Sequence, residues 1–115
     1  MKPNIIRDKN FDFAIDIVNL YKELAFKKNE YVMSRQLLKS GTFILANVME
    51  AKFAQSKSVF INKMSISLKE ANETDYWLDL LQKTEFIDKT IFDVFKPKPV
   101  EILKLIASIV KNSKE

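Results

Sequence analysis

From Asn10 to Val110 the apolar residues recur at intervals of three and four rather than two, a spacing that predicts helices along the whole chain. A first helix is expected from about Asn10 to Lys27, with Phe11, Ala14, Ile17 or Val18, Tyr21, Leu24 and Ala25 as its apolar face and Asp12 and Asp16 near its positive end. The second should begin between Tyr31 and Ser34 and end between Phe53 and Gln55. On it, Leu37, Gly41, Ile44, Val48 and Ala51 form one stripe, and Leu38, Thr42, Leu45, Met49 and Phe53 form another beside it. Together they sweep roughly 200°, about twice what a helix needs to face a single core. The surplus stripe, with Leu38, Leu45, Met49 and Phe53, is therefore expected to contact another subunit.

A third helix is predicted from Ser56 or Ser58 to about Lys83, its seam running Phe60, Met64, Ser67, Ala71, Thr74, Leu78, Leu81 in alternating steps of four and three. The small residues at its middle leave room for a close neighbour. Phe86 to Phe95 reads as a turn and a short helix capped by Asp88. Pro97 and Pro99 lack amide hydrogens and disfavour helix in the residue before them, so a break or sharp kink is expected at 96–98. The closing helix is then expected from about Pro99 to Asn112. Links this short make neighbouring helices antiparallel. The expected fold is all-α, an antiparallel up-down-up-down four-helix bundle, with residues 1–115 as one domain.

Composition narrows the chemistry more than the fold. At 115 residues with 47% hydrophobic and 30% charged positions, the chain can build one core and is neither disordered nor a membrane protein. No apolar run approaches the roughly 20 residues a membrane span needs. Arg7, Asp8 and Lys9 interrupt the amino-terminal stretch where a signal peptide would be continuous, so a cytoplasmic location is expected. With no cysteine and no histidine, the chain has no disulfide, thiolate nucleophile, imidazole base or Glu-x-x-His metal pattern. Glu70 and Glu73 stand at i and i+3 without an imidazole partner. A protein without catalysis, metal or cofactor is the expectation, ahead of an enzyme using those two glutamates as acid and base.

Nineteen basic residues against fifteen acidic ones give a net charge of +4, and only Arg7 and Arg35 among the basic residues are arginine. Lysine neutralises phosphate but does not read bases through a paired fork of donors, so any nucleic acid would be held by its backbone. The excess falls at residues 1–10, 32–56 and 86–115, each summing to +2. Lys39, Lys52, Lys96 and Lys98 are the candidate phosphate contacts; the plainer reading is a solvated surface. Gly41, the one glycine, lies inside the second helix and marks a close approach of another helix. Asn47 and Glu70 flank the second and third helices, where a polar contact between them would set the helix register. Trp77 and Tyr76 suit bundle packing better than base stacking.

The segments SRQLLKSGTFILANVMEA, from Ser34, and SISLKEANETDYWLDLL, from Ser65, carry the elements SGT, AN, EA, KEANET and YWL. That combination resembles the bacterial four-helix bundle proteins, including those encoded by intervening sequences in large-subunit ribosomal RNA genes. It is similar, more distantly, to the accessory variability determinant of diversity-generating retroelements. The resemblance covers about residues 10–115. It implies a short bundle assembled as a homo-oligomer, often a pentamer, without established enzymatic activity. The retroelement relatives bind a reverse transcriptase and nucleic acid through a basic surface, so the resemblance implies RNA, DNA or a nucleic-acid enzyme as partner. The alternative is a module that binds protein alone. Gly41, Asn47, Glu50, Glu70, Glu73 and Trp77 match the family pattern, in roles that look structural. The chain departs from it at Phe43 and Leu45, usually small, and at the two prolines of the fourth helix.

Overall fold

Pro3 supplies the fixed φ and the missing amide hydrogen that suit a helix's first turn, and α1 (Pro3–Lys22) begins there, well before Asn10. The computed structural model describes residues 3–114, with side chains from residue 7. These residues form α1, a π-helical turn (Glu23–Lys27), α2 (Val32–Lys52), α3 (Lys57–Lys83), α4 (Lys89–Phe95) and α5 (Pro97–Lys114), with no strand among them. The all-helical expectation holds. Lys2, in the amino-terminal basic cluster, lies outside the described residues.

The face that α1 and the π-helical turn bury matches the expected one only in part: Ile17, Leu24 and Ala25 are buried, but Phe11, Ala14 and Tyr21 are not. Asn10, Phe13, Ile17, Leu20 and Leu24 point into the core, whereas Phe11 is 56% exposed. Nearly every position from Phe11 to Leu20 except Asp12, Asp16 and Asn19 is apolar, so spacing fits two frames equally well. Long-range packing selects between them. A Cβ on Gly41 would lie 2.9 Å from both Cγ atoms of the buried Ile17, so α1 and α2 meet where only glycine leaves room. The expected core stripe of α2 is buried throughout: Leu37, Gly41, Ile44, Val48 and Ala51.

The seam of α3 is buried from Met64 to Leu81, with Phe60 packed at its edge. Its small residues let the backbones approach, and their hydroxyls bond across the gap. Ser67 donates to the Ile44 carbonyl at 2.8 Å and Thr74 bonds the Ser40 hydroxyl at 2.9 Å. Residue 40 with 74 and 44 with 67 make α2 and α3 antiparallel. The helices sit around a shared core in the order α1, α2, α3, α5, and α1 and α5 touch over a shorter stretch than the other pairs.

The helix ends show where backbone groups are satisfied. Ser56 caps α3 by accepting from the Val59 amide at 3.1 Å, and Asp88 caps α4 by accepting from Ile91 at 2.8 Å. At α2 the capping group is Glu30, which is 7% exposed. Its carboxylate accepts from the amides of Val32, Met33 and Ser34 at 3.1, 3.0 and 2.7 Å. The π-helical turn ends through Asn29, at φ 56°, and the Glu30 amide returns to the Leu24 carbonyl at 2.9 Å. The end of α3 turns the same way at Glu85, φ 67°, with Phe86 donating to Leu81 at 2.9 Å and Glu85 to Gln82 at 3.1 Å.

The break before α5 is confined to Lys96. Its φ and ψ of −57° and −42° are helical, and its amide still donates to Phe92 at 2.8 Å. Pro97 and Pro99 offer no donors to the carbonyls four residues back, which interrupts the ladder without redirecting the backbone at Lys96. The closing helix therefore starts at Pro97 rather than Pro99.

Candidate interaction surfaces

Two of the four candidate lysines are held by aspartates. Lys96 lies 2.6 Å from a carboxylate oxygen of Asp75 and 2.6 Å from one of Asp79, with its ammonium 5.8 Å from the Phe92 ring centre. Burial pulls its pKa down, but the two aspartates outweigh that and leave it above the ordinary lysine value. Lys98 pairs with Asp16 at 3.1 Å. The short break aims these side chains back at α3 and α1, where they fasten α5 to the bundle. Lys39 and Lys52 are exposed, and each lies beside a phenyl ring, Phe43 at 6.0 Å and Phe53 at 5.9 Å.

The expected surplus stripe is present on α2. Leu38, Leu45 and Met49 are half-buried and Phe53 is 76% exposed. It adjoins a second apolar strip on α1. Because α1 offers Ile17 to Gly41, and Lys9 and Asp16 pair with Glu101 and Lys98 of α5, the flank of α1 turned from α5 carries Arg7, Phe11, Ala14, Val18 and Lys22. Phe11 and Ile15 are exposed there. Around this joint α1–α2 face stand Arg7 and Lys22 from α1 and Arg35 and Lys52 from α2, all exposed, while the exposed Lys39 lies on the α3 side of α2, near Glu70. Among the described residues none of the five has a carboxylate in salt-bridge range. Sequence reasoning named two of these cations; the others follow only once helix neighbours are known.

Asn47 and Glu70 do not meet. The Asn47 amide donates to the Phe43 carbonyl of its own helix at 2.8 Å, and the register that joins Ser40 to Thr74 puts Glu70 nearer Lys39. The polar contacts between α2 and α3 come instead from Ser40, Thr74 and Ser67. Glu70 has one buried carboxylate oxygen without a partner. Burial first, then the neighbouring Glu73, raises its pKa. Trp77 packs against the core and stacks edge-on with the 55%-exposed Tyr76, ring centres 4.9 Å apart.

Two clefts are apolar. One, at the α2–α3 turn, encloses 490 Å³ between Met49, Phe53, Ala54 and Val59, with the Glu50–Lys63 ion pair at its side. Another, of 310 Å³, lies between α1 and α4; Leu20, Ile91, Val94 and Phe95 line it and Asp16 and Glu23 rim it. No cluster of carboxylates able to hold a metal occurs among the described residues, and no described helix is long and apolar enough to cross a membrane.

A family model described as 23S rRNA-intervening sequence protein matches residues 2–108. The crystal structure of a protein of unknown function from Bacteroides thetaiotaomicron VPI-5482, assigned to the S23 ribosomal protein family, is similar along almost its whole length. It is 52% identical over 96% of this chain and 99% of that one, with a TM-score of 0.93. No curated protein matches. These likenesses agree with the resemblance carried by the segments of α2 and α3.

Proposed function

The chain belongs to the 23S rRNA-intervening sequence protein family, and from that premise we propose that it is a self-associating helical scaffold without catalysis of its own. Its basic rim takes the backbone of RNA or DNA, or the nucleic-acid enzyme working on it. The α1–α2 face carries this reading. An apolar centre containing Phe11, Ile15, Leu38, Leu45 and Met49 is wasted on a monomer, and its rim gathers four cations, Arg7, Lys22, Arg35 and Lys52, with no carboxylate in salt-bridge range among the described residues. Repetition of that rim by a homo-oligomer, with a pentamer as the family precedent, multiplies a field that one subunit of charge +4 supplies weakly. Lys39 and Lys52 remain phosphate contacts in this reading. Arg7, Lys22 and Arg35 join them in place of the ion-paired Lys96 and Lys98.

The test is a fluorescence-anisotropy titration with mixed-sequence RNA and DNA at about 50 and about 200 mM salt, where counterion release makes phosphate binding fall steeply. Charge reversal at Lys39 and Lys52 should weaken binding, and reversal at Lys98 should act mainly on stability. Absence of binding to either polymer at the lower salt would sink the nucleic-acid reading. The protein-only module would then stand, a reading favoured by one observation: the Lys96 and Lys98 ammonium groups are already spent on aspartates. The cytoplasmic location remains part of the proposal.

A further inference from the structure

We propose that the apolar cleft at the α2–α3 turn takes an unpaired base of single-stranded RNA or DNA, stacked on Phe53, with the adjoining phosphates on Lys52 and Lys57. The inference rests on the nucleic-acid reading above and names the form of the polymer. Phe53 closes α2 with its ring 76% exposed, and Lys52 holds its ammonium 5.9 Å from the ring centre. Met49, Ala54 and the 42%-exposed Val59 continue the apolar surface beside the ring, in a cleft of 490 Å³. A nucleotide joins a flat ring to an anion, and an aromatic face next to an ammonium answers both parts.

The charges around the cleft favour this occupant over an apolar peptide. From Met49 to Lys63 the chain carries Lys52, Lys57 and Lys63 against one acid, Glu50, which Lys63 neutralises at 3.3 Å. Lys52 and Lys57 are exposed, and among the described residues neither has a carboxylate in salt-bridge range. An apolar side chain from another protein would fill the cleft and leave both ammonium groups unanswered. Val59 lies in the first turn of α3, so the cleft also borders the positive end of that 27-residue helix, which favours an anion. A duplex presents phosphates to these lysines but keeps its base faces stacked inside, whereas a single strand offers both. Every base has such a face, and the exposed Gln55 amide at the mouth both donates and accepts, so the site tolerates any sequence.

The experiment is fluorescence anisotropy on the full chain with labelled mixed-sequence RNA and DNA strands of about 16 nucleotides, each free and annealed to its complement, at about 50 mM salt. Phe53→Ala should lose about tenfold in affinity for the free strands, the scale of one base stacked on one ring, and nothing for the duplexes. Phe53→Trp should retain the single-strand affinity, and Lys52→Ala should weaken both forms. Removal of so exposed a ring leaves the core of the bundle intact. A Phe53→Ala loss equal on strand and duplex, or absent from both, overturns the base site and leaves backbone binding standing. Wild type that binds neither form overturns the nucleic-acid reading together with it, and an apolar segment of another protein would then be the occupant of the cleft. Light scattering should give Phe53→Ala the same mass as wild type; a lower mass would put the ring between subunits and overturn the inference.

Discussion

The two ends of the bundle are finished in opposite ways. At the end holding the π-helical turn, α4 and the start of α2, polar groups close on one another. One carboxylate, Glu30, takes three amides, and the Ser34 hydroxyl returns to the Glu30 carbonyl at 2.6 Å. The Lys28 ammonium reaches the Phe86 carbonyl at 2.6 Å, tying the α1–α2 link to the end of α3. The half that contains the amino-terminal part of α1 and the α2–α3 turn is left open. Phe53 stands in solvent, a 490 Å³ cleft lies beside it, and the buried Asn10 amide has neither its nitrogen nor its oxygen bonded. Polar closure is concentrated at one end, although Phe26, Val32 and Val94 stand in solvent there too. The other adds an unsatisfied buried amide, which taxes an isolated subunit.

The largest test of that contrast is Glu30→Ala. Removing a charged acceptor from three amides at a helix start should cost about 2–3 kcal/mol, measured by urea unfolding with an unchanged m-value. A loss within error would show that water caps α2 as well and that the closed end is not special.

Asn10→Leu probes the open half from the other side. Replacing an unbonded buried amide by an apolar side chain should gain about 1–2 kcal/mol. A loss in the same unfolding experiment would mean that Asn10 holds a bond in solution and that this half is better satisfied than its geometry indicates.

Glu85→Gly returns to the closed end, where a residue with a Cβ occupies the left-handed region. Relief of that conformation should raise stability by about 1 kcal/mol. A lower melting temperature would show that the Glu85 side chain contributes contacts exceeding its backbone strain.

The smallest effect belongs to the waist between the ends. Burial, then Glu73, raises the Glu70 pKa, so the folded chain holds this proton more tightly than the unfolded one. Stability contributed by that proton is present in acid and falls as pH climbs from the ordinary carboxylate value through the raised one. Glu70→Gln should therefore melt above wild type at neutral pH, with the advantage shrinking in acid. An advantage independent of pH would place its cause in packing rather than titration.

Legibility in the sequence followed the range of the forces involved. The α3 seam was readable because Met64, Ser67, Ala71, Thr74, Leu78 and Leu81 admit one helical frame and that frame is buried. The frame of α1 was not, because apolar residues nearly surround it and the choice was made by Ile17 against Gly41, 24 positions away. Glu30 had a local signal that went unused: no serine, threonine, aspartate or asparagine stands at Tyr31, and a glutamate precedes it. The fate of Lys96 and Lys98 had none, since their three aspartates, Asp75, Asp79 and Asp16, lie on other helices. The surplus stripe of α2 was visible from its arc alone, while the strip on α1 that extends it needed the helix order.

The short α1–α5 contact has a consequence for the order in which the chain comes together. α2 and α3 are joined by bonds between residues 23 and 34 apart, whereas the ion pairs closing α1 onto α5 span 82 and 92 residues. Loop-closure entropy rises with separation, so the hairpin contacts, Ile17 on Gly41 among them at 24 positions, form before α1 closes onto α5. Those closing pairs are also half-exposed and open to screening by salt. Added salt should thus speed amide exchange in α1 and α5 while α2 and α3 stay protected, as a barrel opens along the stave fitted last.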